Sequence, residues 1–170
     1  MKPRDYLSLI DTHTSGLRYD VTPLFADAAA FAAAVDDLLA LVGETPYDLV
    51  AGVDALGFIL GAALALRAGK GFVPVRKGGK LPVAVETVEF VDYSGTRKAL
   101  ELRRDAIAPG VRVLVVDEWI ETGAQIGAAI RLIKGCGGVV VGVATIHVDD
   151  NERTRQITAR YPVFQLWPEG

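Results

Sequence analysis

From Leu24 to Gln165 the chain alternates two kinds of hydrophobic pattern. Short, nearly continuous apolar runs, YDLVAGVD, GFVPVRK, VRVLVV, VVVGVATIHV and YPVFQLW, read as strands. Longer stretches with helical spacing stand between them. LFADAAAFAAAVDDLLALVG predicts a helix with Asp27 as N-cap, Phe31, Val35, Leu38, Leu39 and Val42 on one face, and Gly43 at its end. GFILGAALALRAG predicts a second helix, whose small residues permit close packing on a sheet, and about Ala124 to Lys134 a third, closed by GCGG. A short helix capped by Asp149 or Asp150 follows, running to Ala159. Val83 to Tyr93 and Lys98 to Arg104 are β-branched or alternating and flank YSGT, the pattern of a β-hairpin or two-stranded flap.

Strand and helix therefore alternate through residues 24–167, which predicts an α/β fold with a parallel sheet covered by helices on both faces. Such sheets bind ligands outside the carboxyl ends of their strands. The loops after Val53, Arg76 and Val116 leave such ends, and each is charged or glycine-rich. No internal repeat, linker or low-complexity tract interrupts the pattern.

At 170 residues, 51% hydrophobic and 23% charged, the composition fits one domain spanning 1–170 with a substantial core. The longest near-apolar runs, Ala55 to Leu66 and Gly135 to Ile146, fall short of the ~20 residues a membrane helix needs. Polar and acidic residues near the N-terminus interrupt any secretory signal. Cys136 has no second cysteine to pair with and reads as a small buried residue, which together with the rest favours a reducing cytoplasm. A net charge of −3 argues against a nucleic-acid partner. Within that acidic background, VRKGGKLP gathers Arg76, Lys77 and Lys80, either to meet a small anion or as a solvated turn.

The sequence lacks both G-x-x-x-x-G-K-[ST] and G-x-G-x-x-G, so a P-loop or dinucleotide enzyme is disfavoured. DEWIETGAQ instead places Asp117 and Glu118 at a strand end and Thr122-Gly123 just before a helix. The backbone N–H groups and dipole at a helix start suit a phosphate, and paired carboxylates accept hydrogen bonds from vicinal hydroxyls. Taken locally, the same letters also describe a strand end and a helix cap.

Several stretches decide between these readings. VLVVDEWIETGAQ resembles the phosphoribosyl-diphosphate motif of the type I phosphoribosyltransferases. YDVTPLF, VAGVDALGFILG, FVPVRKGGKLP and RRDAIAPGVRVLVVDE resemble, in the same order, segments of the adenine phosphoribosyltransferase branch, so that the resemblance covers about residues 17–148. It implies the type I fold, with a small N-terminal hood over residues 1–23 and a flexible β flap over residues 86–98. It further implies transfer of 5-phosphoribosyl from phosphoribosyl diphosphate to a purine-type base, adenine or related, in nucleotide salvage. Diphosphate is released, Mg²⁺ is required and is bound mainly through substrate and water, and the chain is expected to form a homodimer. By the same resemblance Asp117 and Glu118 hold the ribose hydroxyls, Glu121, Thr122, Gly123, Ala124 and Gln125 cradle the 5-phosphate, and Asp54, Ala55, Arg76, Lys77 and Lys80 meet the diphosphate. Asp54-Ala55 falls where the family places a non-proline cis peptide. Tyr19 lies at the base, and Asp92 of the flap pair Asp92-Tyr93 is expected, with Asp117 and Glu118, among the catalytic groups.

The chain departs from the family pattern at defined positions. Glu118 stands for an Asp, Leu56 for an Arg, and Ala124-Gln125 for Gly-Thr. Tyr19 replaces an Arg that is displaced to Arg18. Glu121 adds a negative charge beside the expected phosphate unless its side chain turns away. These changes leave an alternative open, a catalytically weak or inactive relative that binds a nucleotide or phosphoribosyl diphosphate as a regulator.

Overall fold

Two apolar runs form the middle of the sheet in the computed structural model, which describes residues 4–15, 18–92 and 94–167. Strands β1 (Leu49–Val53) and β5 (Arg112–Val116) lie parallel, from Leu49 opposite Val113 to Gly52 opposite Val116. Val50, Ala51, Val53 and Val113 to Val116 are wholly buried, because helices cover both faces there. β2 (Gly71–Lys77) extends the sheet beside β1, and β7 (Val139–Thr145) and β9 (Val163–Gln165) extend it beyond β5, all parallel.

The predicted hairpin is also there, as β3 (Val85–Val91) and β4 (Arg97–Arg103). It anneals to β2 through Arg76 opposite Glu101 and Lys77 opposite Leu100. Strands joined by a tight turn must run antiparallel, so the expected hairpin adds antiparallel strands to the expected parallel sheet, and the seven-stranded sheet, β3-β4-β2-β1-β5-β7-β9, is mixed. A second, two-stranded sheet pairs β6 (Trp119–Ile120) with β8 (His147–Val148). The sequence pattern alone runs β8 on from β7 and places β6 within a loop.

Helix α2 (Ala28–Val42) starts where Asp27 accepts a hydrogen bond from the Ala30 N–H at 2.8 Å and stops at Gly43, whose φ is +55°. Because Asp27 is extended, the turn before it forms a separate short helix, α1 (Thr22–Ala26). α3 (Leu56–Arg67) approaches β5 so closely that a Cβ on Gly57 would lie 2.7 Å from the Val116 carbonyl oxygen. α4 (Ala124–Gly135) covers the opposite face. α5 (Glu152–Thr158) is capped by Asn151, not by Asp149 or Asp150, which are engaged by Trp119 and Arg155.

Two cores result, one on each face. The first joins α1, α2 and α3 to Tyr6 and Ile10 of the N-terminal segment; Tyr6 is anchored by its hydroxyl, which donates to Asp37 at 2.7 Å. The second packs α4 and the hairpin on the sheet. Each large side chain buried there contributes roughly 1.5–3 kcal/mol before entropic costs. Cys136 is half-buried at the end of α4, where burial and then the Glu86 charge push its thiol pKa up, so it stays protonated and unreactive near neutral pH.

Candidate active site

The buried end of β5 delivers the acid pair. The Asp117 N–H still bonds the Ala144 carbonyl of β7 at 3.2 Å, and the Glu118 N–H then turns back to donate to Asp117 Oδ1 at 3.0 Å. The Thr145 hydroxyl donates to the Glu118 carbonyl at 3.1 Å. Both side chains are nearly enclosed, Asp117 4% and Glu118 9% exposed. Burial, and next the charge of Glu118, hold the Asp117 pKa well above the usual carboxylate range. Arg18 works in the opposite direction.

Beyond the pair, Trp119-Ile120 docks on His147-Val148 and aims the chain at α4. Gly123 turns it with φ +76°, and the Thr122 hydroxyl accepts from the Ala124 N–H at 3.2 Å. Gly123 itself is the N-cap and supplies no side-chain cap, so the loop presents the donor-rich helix start that an anion needs. Glu121 turns from this loop to Arg18 of the N-terminal segment, at 3.3 Å. Its backbone carbonyl is held by Asn151 Nδ2 at 2.8 Å.

The loop after β1 faces this one. The Asp54-Ala55 peptide is cis, and Gln125 Nε2 donates to the Asp54 carbonyl across the gap at 3.1 Å. The Asp54 carboxylate lies 3.9 Å from Lys77 Nζ and 4.0 Å from Arg76 Nε. Behind the basic loop sits Glu101, 3% exposed, accepting from the N–H groups of Gly79, Lys80 and Leu81 at 2.8, 2.6 and 2.6 Å. Burial opposes its ionisation, but those donors and Arg76 outweigh it and lower the pKa.

Asp92 starts the hairpin turn. Its carboxylate accepts from the Ser94 N–H, the Ser94 hydroxyl and the Thr96 N–H, and pairs with Lys98 Nζ at 2.5 Å. Lys98 first, then Ser94, hold its pKa far below the usual range, so it is ionised and engaged in organising the turn. Its expected neighbour in the flap pair, Tyr93, lies outside the described residues.

Together these segments enclose a cleft of about 270 Å³. Of the expected residues, Asp54, Ala55, Lys77, Asp92, Asp117, Glu118 and Glu121 to Gln125 line it. Arg76 and Lys80 stand outside, joined by an Arg76 Nη1 contact of 3.4 Å to the Lys80 carbonyl. Tyr19 also stands back, edge-on to Trp119 at 5.5 Å between ring centres and stacked on Trp167 at 6.0 Å. Trp119, Arg18, Lys98 and Leu56 line the cleft without having been assigned a place there. Trp119 carried one signal, its position directly after the acids. Glu101 carried a fainter one, an acid on a strand flanked by leucines.

The chain matches the phosphoribosyl transferase domain model over residues 23–168. It is 40% identical over 147 residues to an adenine phosphoribosyltransferase of Roseiflexus sp. (strain RS-1), covering 86% of this chain and 85% of that one. The solved adenine phosphoribosyltransferase of Thermoanaerobacter pseudethanolicus is 34% identical and superimposes with a TM-score of 0.87, over 95% of this chain and 96% of that one. The Saccharomyces cerevisiae enzyme, solved with an imino-altritol bisphosphate and adenine, is 26% identical, with a TM-score of 0.84 over 97% and 98%. With that domain matched over most of its length and a relative 40% identical over 86% of it, the chain belongs to the phosphoribosyltransferase family.

Proposed function

We propose that the chain transfers the 5-phosphoribosyl group of phosphoribosyl diphosphate to adenine, releasing diphosphate, as a purine-salvage enzyme. The observation that carries this reading is the enclosed pair Asp117-Glu118 set directly before the Gly123 turn and opposite Asp54-Ala55. In that arrangement the two carboxylates accept from the ribose 2- and 3-hydroxyls while the start of α4, Thr122 to Gln125, binds the 5-phosphate. Lys77 and the Asp54-Ala55 loop take the diphosphate end, with Arg76 and Lys80 at its margin. Positive charge grows on the ribose as the bond to diphosphate breaks, and the acid pair is placed to stabilise it. The hairpin, through Phe90, Asp92 and Lys98, borders the cleft and is suited to exclude water. Tyr19, packed on Trp119, belongs to the base end, and the described part of residues 1–23 serves as the hood there.

Mg²⁺ fits this cleft on charge grounds. Arg18, Lys77 and Lys98 line it, but so do Asp54, Asp92, Asp117, Glu118 and Glu121, an acidic balance that a polyanion does not enter alone. In this reading the ion is held chiefly by the substrate's own oxygens and water. When bound, the ion neutralises the leaving diphosphate. Ile59 and Leu66, 44% and 83% exposed on α3, support self-association as a homodimer through that helix. No helix of the described residues is long and apolar enough to cross a membrane; the proposed location is cytoplasmic.

The relatives' activity favours an enzyme over a non-catalytic binder. The test is diphosphate release from phosphoribosyl diphosphate and Mg²⁺ with a panel of bases. Release with adenine well above hydrolysis is expected; binding of phosphoribosyl diphosphate without release for any base would overturn the proposal.

A further inference from the structure

Behind the phosphate loop a second groove, of about 540 Å³, runs between the hairpin, α4 and α5. Four cations line it: Arg131 and Lys134 from α4, Arg153 from α5, and Arg160 just beyond α5. No carboxylate lines it among the described residues. Elsewhere this acidic chain pairs its arginines closely, Arg67 with Asp36, Arg103 with Asp105, Arg112 with Asp48 and Arg155 with Asp150. Here Lys134, Arg153 and Arg160 enter no ion pair among the described residues, and Arg131 donates only to the Glu89 carbonyl, at 3.4 Å. Of the neighbouring acids, Glu89 pairs with Arg97 at 3.6 Å, and Glu152 lines an adjoining hollow that shares Arg153 and Gln156 with the groove.

Helix stability explains part of this placement. Lys134 lies in the last turn of α4 and Arg160 follows α5, where cations complement the dipole. Arg153 is in the first turn of α5, where the dipole opposes it, and Arg131 is inside α4. Those two need another reason. Between the cations the groove is apolar, with Phe90 and Ile130 on one side and Ile157 and Tyr161 on the other. Its size lies in the ~300–1,000 Å³ range of small-ligand sites.

We propose that this groove binds a nucleoside polyphosphate, with the phosphates on the four cations and the base against the Phe90–Tyr161 floor. The position is not remote from the cleft. Phe90, Gly123 and Ala124 border both spaces, and a Cβ on Gly123 would lie 3.1 Å from Ile157 Cδ1 and 3.4 Å from Arg153 Cγ. One wall therefore separates the phosphate loop from the second groove.

The test is calorimetric titration of the full chain, its cleft saturated with phosphoribosyl diphosphate and Mg²⁺, using ATP and, separately, inorganic tripolyphosphate. Both should bind, ATP more tightly. Arg131→Gln with Arg160→Gln, and independently Lys134→Gln with Arg153→Gln, should each weaken both probes by about tenfold or more, since charge-assisted contacts are lost. Phosphoribosyl diphosphate affinity should not change in either variant. Absence of binding, displacement of the probes by phosphoribosyl diphosphate, or unchanged affinity in both variants would overturn the proposal. So would binding of a glutamate-rich peptide where ATP fails, which would make the groove a protein-docking face.

Discussion

Gln125 Nε2 donates to the Asp54 carbonyl at 3.1 Å, joining the first turn of α4 to the cis-peptide loop on the opposite side of the cleft. One side chain therefore sets the distance between the proposed 5-phosphate and diphosphate ends. A hydrogen bond of this kind contributes about 0.5–1.5 kcal/mol. Gln125→Ala should accordingly raise KM for phosphoribosyl diphosphate by roughly two- to tenfold and lower the melting temperature by no more than a few degrees. Steady-state kinetics with a melting curve check this, and an unchanged KM would show that the two loops are positioned independently of the bond.

The Arg18–Glu121 pair answers the question that Glu121 raised in the sequence. Its carboxylate is engaged 3.3 Å from Arg18 rather than left unpaired beside the phosphate loop. Arg18 is well exposed, so the pair adds little to stability. Its effect should appear in binding instead. Arg18→Gln frees the Glu121 charge and should raise KM for phosphoribosyl diphosphate about three- to tenfold, the scale of a screened charge at this range. Adding Glu121→Gln should recover most of the loss, and a double-mutant cycle measures the coupling. Additive effects would mean that the two residues act separately.

Glu101 holds the loop of Arg76, Lys77 and Lys80 from behind through three backbone N–H groups. Its lowered pKa fixes the sign of the pH effect. The stability it contributes is present above the ordinary glutamate pKa of about 4.3 and is lost as pH falls through its folded value. Glu101→Gln should therefore cost about 2 kcal/mol at neutral pH, where the charge-assisted bonds are lost, and less in acid. KM for phosphoribosyl diphosphate should rise with it, and Glu101→Asp should recover part of both. Chemical denaturation between pH 3 and 7 reads the first effect. A stability difference independent of pH would show that the carboxylate's charge is not what holds the loop.

Much of this architecture was legible because it follows from local chemistry. Val113 to Val116 read as a buried strand since both faces are covered, and Asp27 and Gly43 mark the ends of α2 by their capping roles. The acid pair and the Thr122-Gly123 turn were legible for the same reason. What escaped depends on partners distant in the chain. Glu101 matters only once β4 lies beside β2, and Arg18 only once the N-terminal segment reaches Glu121. Spacing alone likewise could not show that Asp149 is taken by the Trp119 indole N–H at 2.8 Å, leaving the cap of α5 to Asn151. Whether Arg76 and Lys80 point into the cleft is a matter of loop conformation, which residue type does not encode.

Asp117 is predicted to exchange stability for function. Burial and the adjoining Glu118 raise its pKa, so folding disfavours its ionised form. Such a group contributes stability below the ordinary aspartate pKa of about 3.9, and that contribution is lost as pH rises through the raised folded value. Asparagine carries no charge to desolvate. Asp117→Asn should therefore melt at the same temperature as the parent or higher at neutral pH, with the difference opening as pH increases from 4. Activity should move the other way: without one acceptor for the ribose hydroxyls, kcat/KM for phosphoribosyl diphosphate should fall about ten- to a hundredfold. Melting curves across that pH range, paired with initial rates, test both halves. A variant that loses stability at neutral pH would show that the buried carboxylate holds the strand end in place, while one that keeps full activity would remove Asp117 from the ribose site.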